Sequence, residues 1–222
     1  MSHPGQRHLV IAQLRDEICR IEHRPGRREG AVASGLDGVD AVLPNGGFPR
    51  GALSELGGGP ASGKTAVALS LLAAIAPDDL VAWVDGRGEL YPPAAASRGL
   101  DLARLLVVRP TLPTPGAPPP AGQAPWRTAL WASEALLASG AFAAVAMDVA
   151  LPRSVAGADG IGRRLQAAAE RGGAIGLWLA APECRLRVPA AVRVEISMQD
   201  GRIVARRATG APVPAGGGGR AA

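Results

Sequence analysis

Eight residues from Gly58 to Thr65 read G-G-P-A-S-G-K-T and place Gly58, Gly63, Lys64 and Thr65 at the spacing G-x-x-x-x-G-K-[ST]. That spacing suits the capture of phosphate. Glycine reaches backbone angles closed to other residues, so successive N–H groups can turn inward around an anion. The Lys64 ammonium is a compact charge for the β and γ phosphates, and the Thr65 hydroxyl can hold Mg²⁺. A helix beginning near Lys64 aims its positive end at the same group. The expected nucleotide-binding residues are Gly58, Gly59, Pro60, Ala61, Ser62, Gly63, Lys64 and Thr65. Lys64 is also the one lysine of the chain, all its other basic side chains being arginine or histidine. A lone Lys marks a position that a planar guanidinium does not fill.

A phosphate loop needs a strand before it and a helix after it. Gly51 to Leu56 is apolar and Ala66 to Ala76 is helix-like. Downstream, Leu80–Asp85 and Arg104–Arg109 read as buried parallel strands, and Phe142–Asp148 and Ala174–Ala180 as further strands. Leu36–Leu43, Trp126–Ala138 and Ile161–Arg171 read as helices. Residues 192–197 and 202–206, around Gln199-Asp200-Gly201, alternate as an antiparallel hairpin. Seven prolines between Pro110 and Pro125 exclude helix or central strand there. Strands alternating with helices predict an α/β fold with a mostly parallel central sheet flanked by helices.

The N-terminal segment carries Ile11, Leu14, Ile18 and Ile21 on one helical stripe, ended by Pro25-Gly26. So narrow a stripe either packs on its own domain or serves a partner, including a second copy of this chain. The expected organisation is an N-terminal helix and linker (1–30), a P-loop domain (31–208) and a disordered Gly/Pro/Ala tail (209–222). No apolar run approaches the ~20 residues of a membrane span. Cys19 and Cys184 read as ordinary thiols of a reducing cytoplasm. The formal charge of +5 makes an acidic partner plausible, nucleic acid first, although a solvated basic face reads the same way.

Phosphate loops work with a second carboxylate at the end of a neighbouring apolar strand, which organises the metal. Asp148 fits, with Thr65 as the other metal-site residue. Asp85 also ends an apolar strand and is its rival, and a strand-terminal Asp can instead cap the next turn.

Residues 34–110 resemble the ATPase core of the bacterial RecA recombinase, through S-G-L-D-G-V-D-A-V-L-P-N-G-G-F-P-R-G, E-L-G-G-G-P-A-S-G-K-T, W-V-D and G-L-D-L-A-R-L-L. Over residues 9–197 the chain is similar to the ImuA family, RecA-like accessory proteins of mutagenic lesion bypass. The motifs G-E-L-Y-P-P, A-L-W-A-S-E-A-L, R-R-L-Q-A-A-A-E and an N-terminal L-R-D-E-I-C-R-I-E carry that likeness. The resemblance implies a RecA-like P-loop fold, ATP and Mg²⁺ as cofactors and a cytoplasmic setting. The partners it implies are a Y-family-like polymerase homologue, an alternative replicative-type DNA polymerase, RecA itself and single-stranded DNA.

Departures from RecA bear on activity. RecA places a glutamate two residues after the strand-end Asp to polarise the attacking water, and the ungapped alignment puts Arg87 there. An Arg accepts no proton, so the usual base is missing, and Glu89 could substitute only in a rearranged loop. The adenine-packing Tyr of RecA falls on Ala94, leaving Tyr91 to stack. The polar sensor falls near Ala180 and Ala181. The DNA-binding loops are shortened, with Arg153, Arg163, Arg164, Arg185 and Arg187 beside them as candidate phosphate contacts. With seven aromatics, the chain has few side chains for a base-stacking platform. Two functions are therefore expected to compete: an ATP-binding accessory protein of DNA-damage tolerance with slow or no hydrolysis, or an active DNA-dependent ATPase that forms filaments.

Overall fold

The structure is a computed structural model that describes residues 30–110, 124–152, 155, 157–182, 186 and 188–208. The expected N-terminal helix and the tail beyond 208 lie outside the described residues, as do Arg153, Arg185 and Arg187.

Among the described residues the strands are β1 (Ala31–Val32), β2 (Phe48–Pro49), β3 (Ala52–Gly57), β4 (Leu80–Asp85), β5 (Leu105–Val108), β6 (Phe142–Asp148), β7 (Ile175–Leu179), β8 (Val192–Gln199) and β9 (Arg202–Arg207). The helices are α1 (Asp37–Asp40), α2 (Lys64–Ala74), α3 (Pro92–Ala96), α4 (Pro125–Ala138) and α5 (Ala158–Gly172). Strands β5-β4-β6-β7-β3-β8-β9 form one sheet in that order. Pairing is parallel from β5 through β8, and β9 returns antiparallel against β8. The fold is thus α/β, a mostly parallel sheet with a C-terminal antiparallel hairpin, consistent with a RecA-like P-loop fold. Strands β1 and β2 form a small antiparallel pair before β3.

Period-two alternation on the central strands explains why both faces are covered. On β4, Val81 and Trp83 join the core under α2, while Ala82 and Val84 join the core under α4 and α5. On β6, Ala144 and Ala146 take the first side and Val145 and Met147 the second. At Gly176 of β7 a methyl group would run into the Leu53 side chain, so that strand stays bare where β3 leans across it.

The same topology gathers the chemistry. Parallel strands put all their C-terminal ends on one edge, where open α/β sheets bind ligands. Gly57, Asp85, Asp148 and Leu179 end β3, β4, β6 and β7 on that edge.

Candidate phosphate and nucleotide site

The loop between β3 and α2 has the backbone that its glycines predict. Gly58 stands at φ 143°, and a Cβ there would lie 2.6 Å from the Ser62 Oγ and press on the Ile196 carbonyl of β8. Gly63 caps α2 at φ 94° with Ile203 of β9 packed beneath it. The C-terminal hairpin therefore buttresses the loop at Gly58 and Gly63. Ala61, at φ 55°, occupies the left-handed region without being glycine. Such strain costs on the order of 1 kcal/mol and is held here at the loop tip.

Lys64 opens α2 and folds its side chain across the loop. Its Nζ donates to the Gly58 carbonyl at 2.7 Å and to the Ala180 carbonyl at 2.8 Å. The second bond ties the loop to the end of β7. Residues Gly59 to Ala66 line a cavity of about 520 Å³ together with Leu69, Arg87, Glu89, Ala94, Arg98, Asp148, Ala181 and Pro182. That volume suits a small ligand such as a nucleotide.

The two rival carboxylates are separated by their surroundings. Asp85 has a fully buried side chain that accepts from the Glu89 and Leu90 amides, at 3.0 and 3.3 Å, and from Arg109 Nε at 2.8 Å. Arg109 donates in turn to the Leu90 carbonyl at 3.0 Å. Asp85 thus pins the loop from Gly86 to Leu90 and does not line the cavity. Asp148 does line it.

The pinned loop delivers Arg87 to Asp148. The Gly86 amide donates to the Asp148 carbonyl at 2.8 Å, and a Cβ on Gly86 would lie 3.0 Å from that oxygen, so a glycine lets the loop pass close. One residue later, Arg87 Nε donates to Asp148 Oδ1 at 2.9 Å. Burial pushes the Asp148 carboxyl above its ordinary 3.8, the charge and hydrogen bond of Arg87 pulling against it. Glu89 adds a smaller upward push and Lys64 a smaller downward one.

Thr65 lies at the cavity wall with its side chain exposed, as the metal reading requires. The other half of that reading fits poorly. A Mg²⁺ held through Asp148 would share the carboxylate with a guanidinium already bonded to it, and the two cations repel. Glu89, the alternative base, is exposed on the same wall. Tyr91 is 68% exposed and outside the lining, at the N-cap of α3. Ala94 and Arg98 take the wall instead. Of the proposed DNA contacts, Arg163 is exposed, while Arg164 Nε donates to Glu134 at 3.1 Å.

Sequence reasoning missed a second concavity. Trp126, Arg127 and Leu130 of α4 face Gly157, Gly160, Ile161, Arg163, Arg164 and Ala167 of the α5 end across a groove of about 710 Å³. The Arg127 guanidinium lies over the Trp126 ring at 5.1 Å. The available signal was the spacing of Trp126 and Leu130 on one helical face, beside a pair of arginines that the tertiary fold brings opposite.

Comparison with known proteins agrees with this geometry over the first half of the chain. Residues 14–118 match the model of the RecA N-terminal domain. A protein named Protein RecA from Salinispora arenicola is 35% identical over 108 residues, 46% of this chain and 31% of its own. Protein RecA of Lactococcus lactis subsp. cremoris is 32% identical over 94 residues, 42% of this chain and 24% of its own. Protein RecA of Staphylococcus epidermidis is 33% identical over 94 residues, 42% and 27%. The chain is RecA-like over this region and spans less than a third of the length of these relatives.

Proposed function

We propose that this chain is an ATP-binding, RecA-like accessory protein of DNA-damage tolerance that holds nucleotide and turns it over slowly or not at all. The pairing of Arg87 with Asp148 at 2.9 Å carries this reading. It puts a group that accepts no proton where RecA has its base, and it engages the carboxylate that would organise the metal. The phosphate loop itself keeps every feature that binding needs. Nucleotide would then favour one conformation of the chain and its partners instead of driving a cycle.

The accessory role rests on the ImuA-like motifs from Gly88 to Pro93, Ala129 to Leu136 and Arg163 to Glu170. The partners proposed on that basis are the polymerase homologue, the alternative replicative-type polymerase and RecA, with single-stranded DNA as a further ligand. The Trp126–Arg127 groove supports the DNA contact, since an aromatic face beside arginines suits unpaired bases and their phosphates. A second reading, an active DNA-dependent ATPase, is favoured by one observation: Glu89 lines the same cavity.

ATP turnover by the full chain, with and without single-stranded DNA, separates the two. Nucleotide binding with little turnover in either condition supports the accessory protein. Turnover that rises with DNA supports the ATPase.

A further inference from the structure

Three cationic side chains, Lys64, Arg87 and Arg98, line the cavity from three different elements. Lys64 comes from the first turn of α2, Arg87 from the loop after β4 and Arg98 from just beyond α3. The two acids beside them are Glu89, which is exposed, and Asp148, whose Oδ1 accepts from Arg87. Arg87 is not a wandering surface side chain. Its loop is fastened by the buried Asp85, by Arg109 and by the Gly86 amide on β6, and its side chain is only 27% exposed. A guanidinium fixed before the ligand arrives loses little freedom on binding, and its planar fork suits phosphate oxygens.

We propose that this site takes nucleoside triphosphate without a divalent metal, the Arg87 guanidinium, held by Asp148, standing against the terminal phosphates where Mg²⁺ would otherwise stand. The proposal rests on the nucleotide-binding reading above and adds its metal requirement. Asp148 then serves as a positioning residue for Arg87 and not as a metal organiser. Arg87 uses Nε on the carboxylate, and its two terminal nitrogens are the donors that would meet a phosphate. A metal-free triphosphate carries more negative charge than its Mg²⁺ complex, and three cations lining one cavity suit the more highly charged form.

The test is direct titration of the full chain with the slowly hydrolysed analogue ATPγS, in Mg²⁺ and in EDTA. For the unmodified chain the expected dissociation constants agree within about threefold, less than the loss of one charge-assisted contact. For Arg87→Ala, binding in EDTA weakens by about tenfold or more. Mg²⁺ then restores much of it, because Asp148 is released. A loss of tenfold or more in EDTA for the unmodified chain overturns the proposal, as does Arg87→Ala binding normally in EDTA. Arg87→Gln, of similar length, is the second variant should Arg87→Ala fold poorly, and it is expected to show the same metal dependence. No binding by the unmodified chain in either buffer overturns the nucleotide reading itself, a distinct outcome from binding that needs the metal.

Discussion

Arg87 Nε lies 2.9 Å from Asp148 Oδ1, and the amide of the residue before it, Gly86, bonds the Asp148 main-chain carbonyl. The loop that leaves β4 is thereby joined twice to the end of the neighbouring parallel strand β6, once through backbone and once through an ion pair. In a RecA-like site that loop should carry a proton acceptor and that strand end a metal organiser. Here the loop sets a cation on the strand-end carboxylate.

Lys64→Ala tests the phosphate loop itself. The substitution removes a charge-assisted contact to phosphate, worth about 1.5–3 kcal/mol, and so weakens ATP binding by at least about tenfold. The fold should persist, because the loop keeps its glycines and its support from Ile196 and Ile203. Calorimetric titration of both proteins measures the change, and equal affinities would remove the site assignment.

Asp85 and Asp148 should respond differently to loss of charge. Asp85→Ala strands the Glu89 and Leu90 amides, with unmet burial of such groups costing about 1–3 kcal/mol each. It also loosens the loop that carries Arg87. Urea denaturation should show a loss of about 2 kcal/mol or more for Asp85→Ala and a smaller loss for Asp148→Asn.

Asp148 also makes stability depend on pH. Burial raises its native pKa above 3.8, so the native state holds the proton more tightly than the unfolded chain does. Its stabilising contribution is complete below 3.8 and is lost as pH rises through the raised native value. The stability of the unmodified chain relative to Asp148→Asn should therefore decline over that rise. Arg87→Ala removes the leading downward pull and should carry the window to higher pH. Urea midpoints measured from pH 3 to pH 7 would show both effects, and parallel profiles for all three proteins would refute the assignment.

The Trp126 groove is the place to look for nucleic acid. Arg127→Glu combined with Arg163→Glu should weaken single-stranded DNA binding and flatten its salt dependence, each lost phosphate contact lowering the slope by about one. Fluorescence anisotropy across a salt series measures this. Unchanged binding would place any DNA contact elsewhere.

Much of this architecture was legible because buried parallel strands leave continuous apolar runs. Leu80–Asp85 and Phe142–Asp148 have the predicted ends, and the phosphate loop sits between its strand and helix as its spacing required. Side-chain partnerships were not legible. Arg104 read as the start of a strand, yet it is buried and donates to the Leu72, Ala73, Ala76 and Asp79 carbonyls around the end of α2. The choice between Asp85 and Asp148 likewise depended on Arg109 and on two loop amides, which share no local pattern with either acid. Short helices such as Pro92–Ala96 left too little periodicity to read, and the β1–β2 pair is only two residues long on each side.

The central claim is that Arg87 holds this site in a binding mode, and ATP turnover by the unmodified chain, Arg87→Glu and Glu89→Gln tests it most directly. Losing a general base typically costs 10²–10⁴-fold, so the unmodified chain should turn over far below about 1 s⁻¹ with or without single-stranded DNA. Arg87→Glu both restores an acceptor and frees Asp148, and its rate should rise. Glu89→Gln should change little. Turnover of about 1 s⁻¹ or more by the unmodified chain, abolished in Glu89→Gln, would contradict the account and move the base to Glu89.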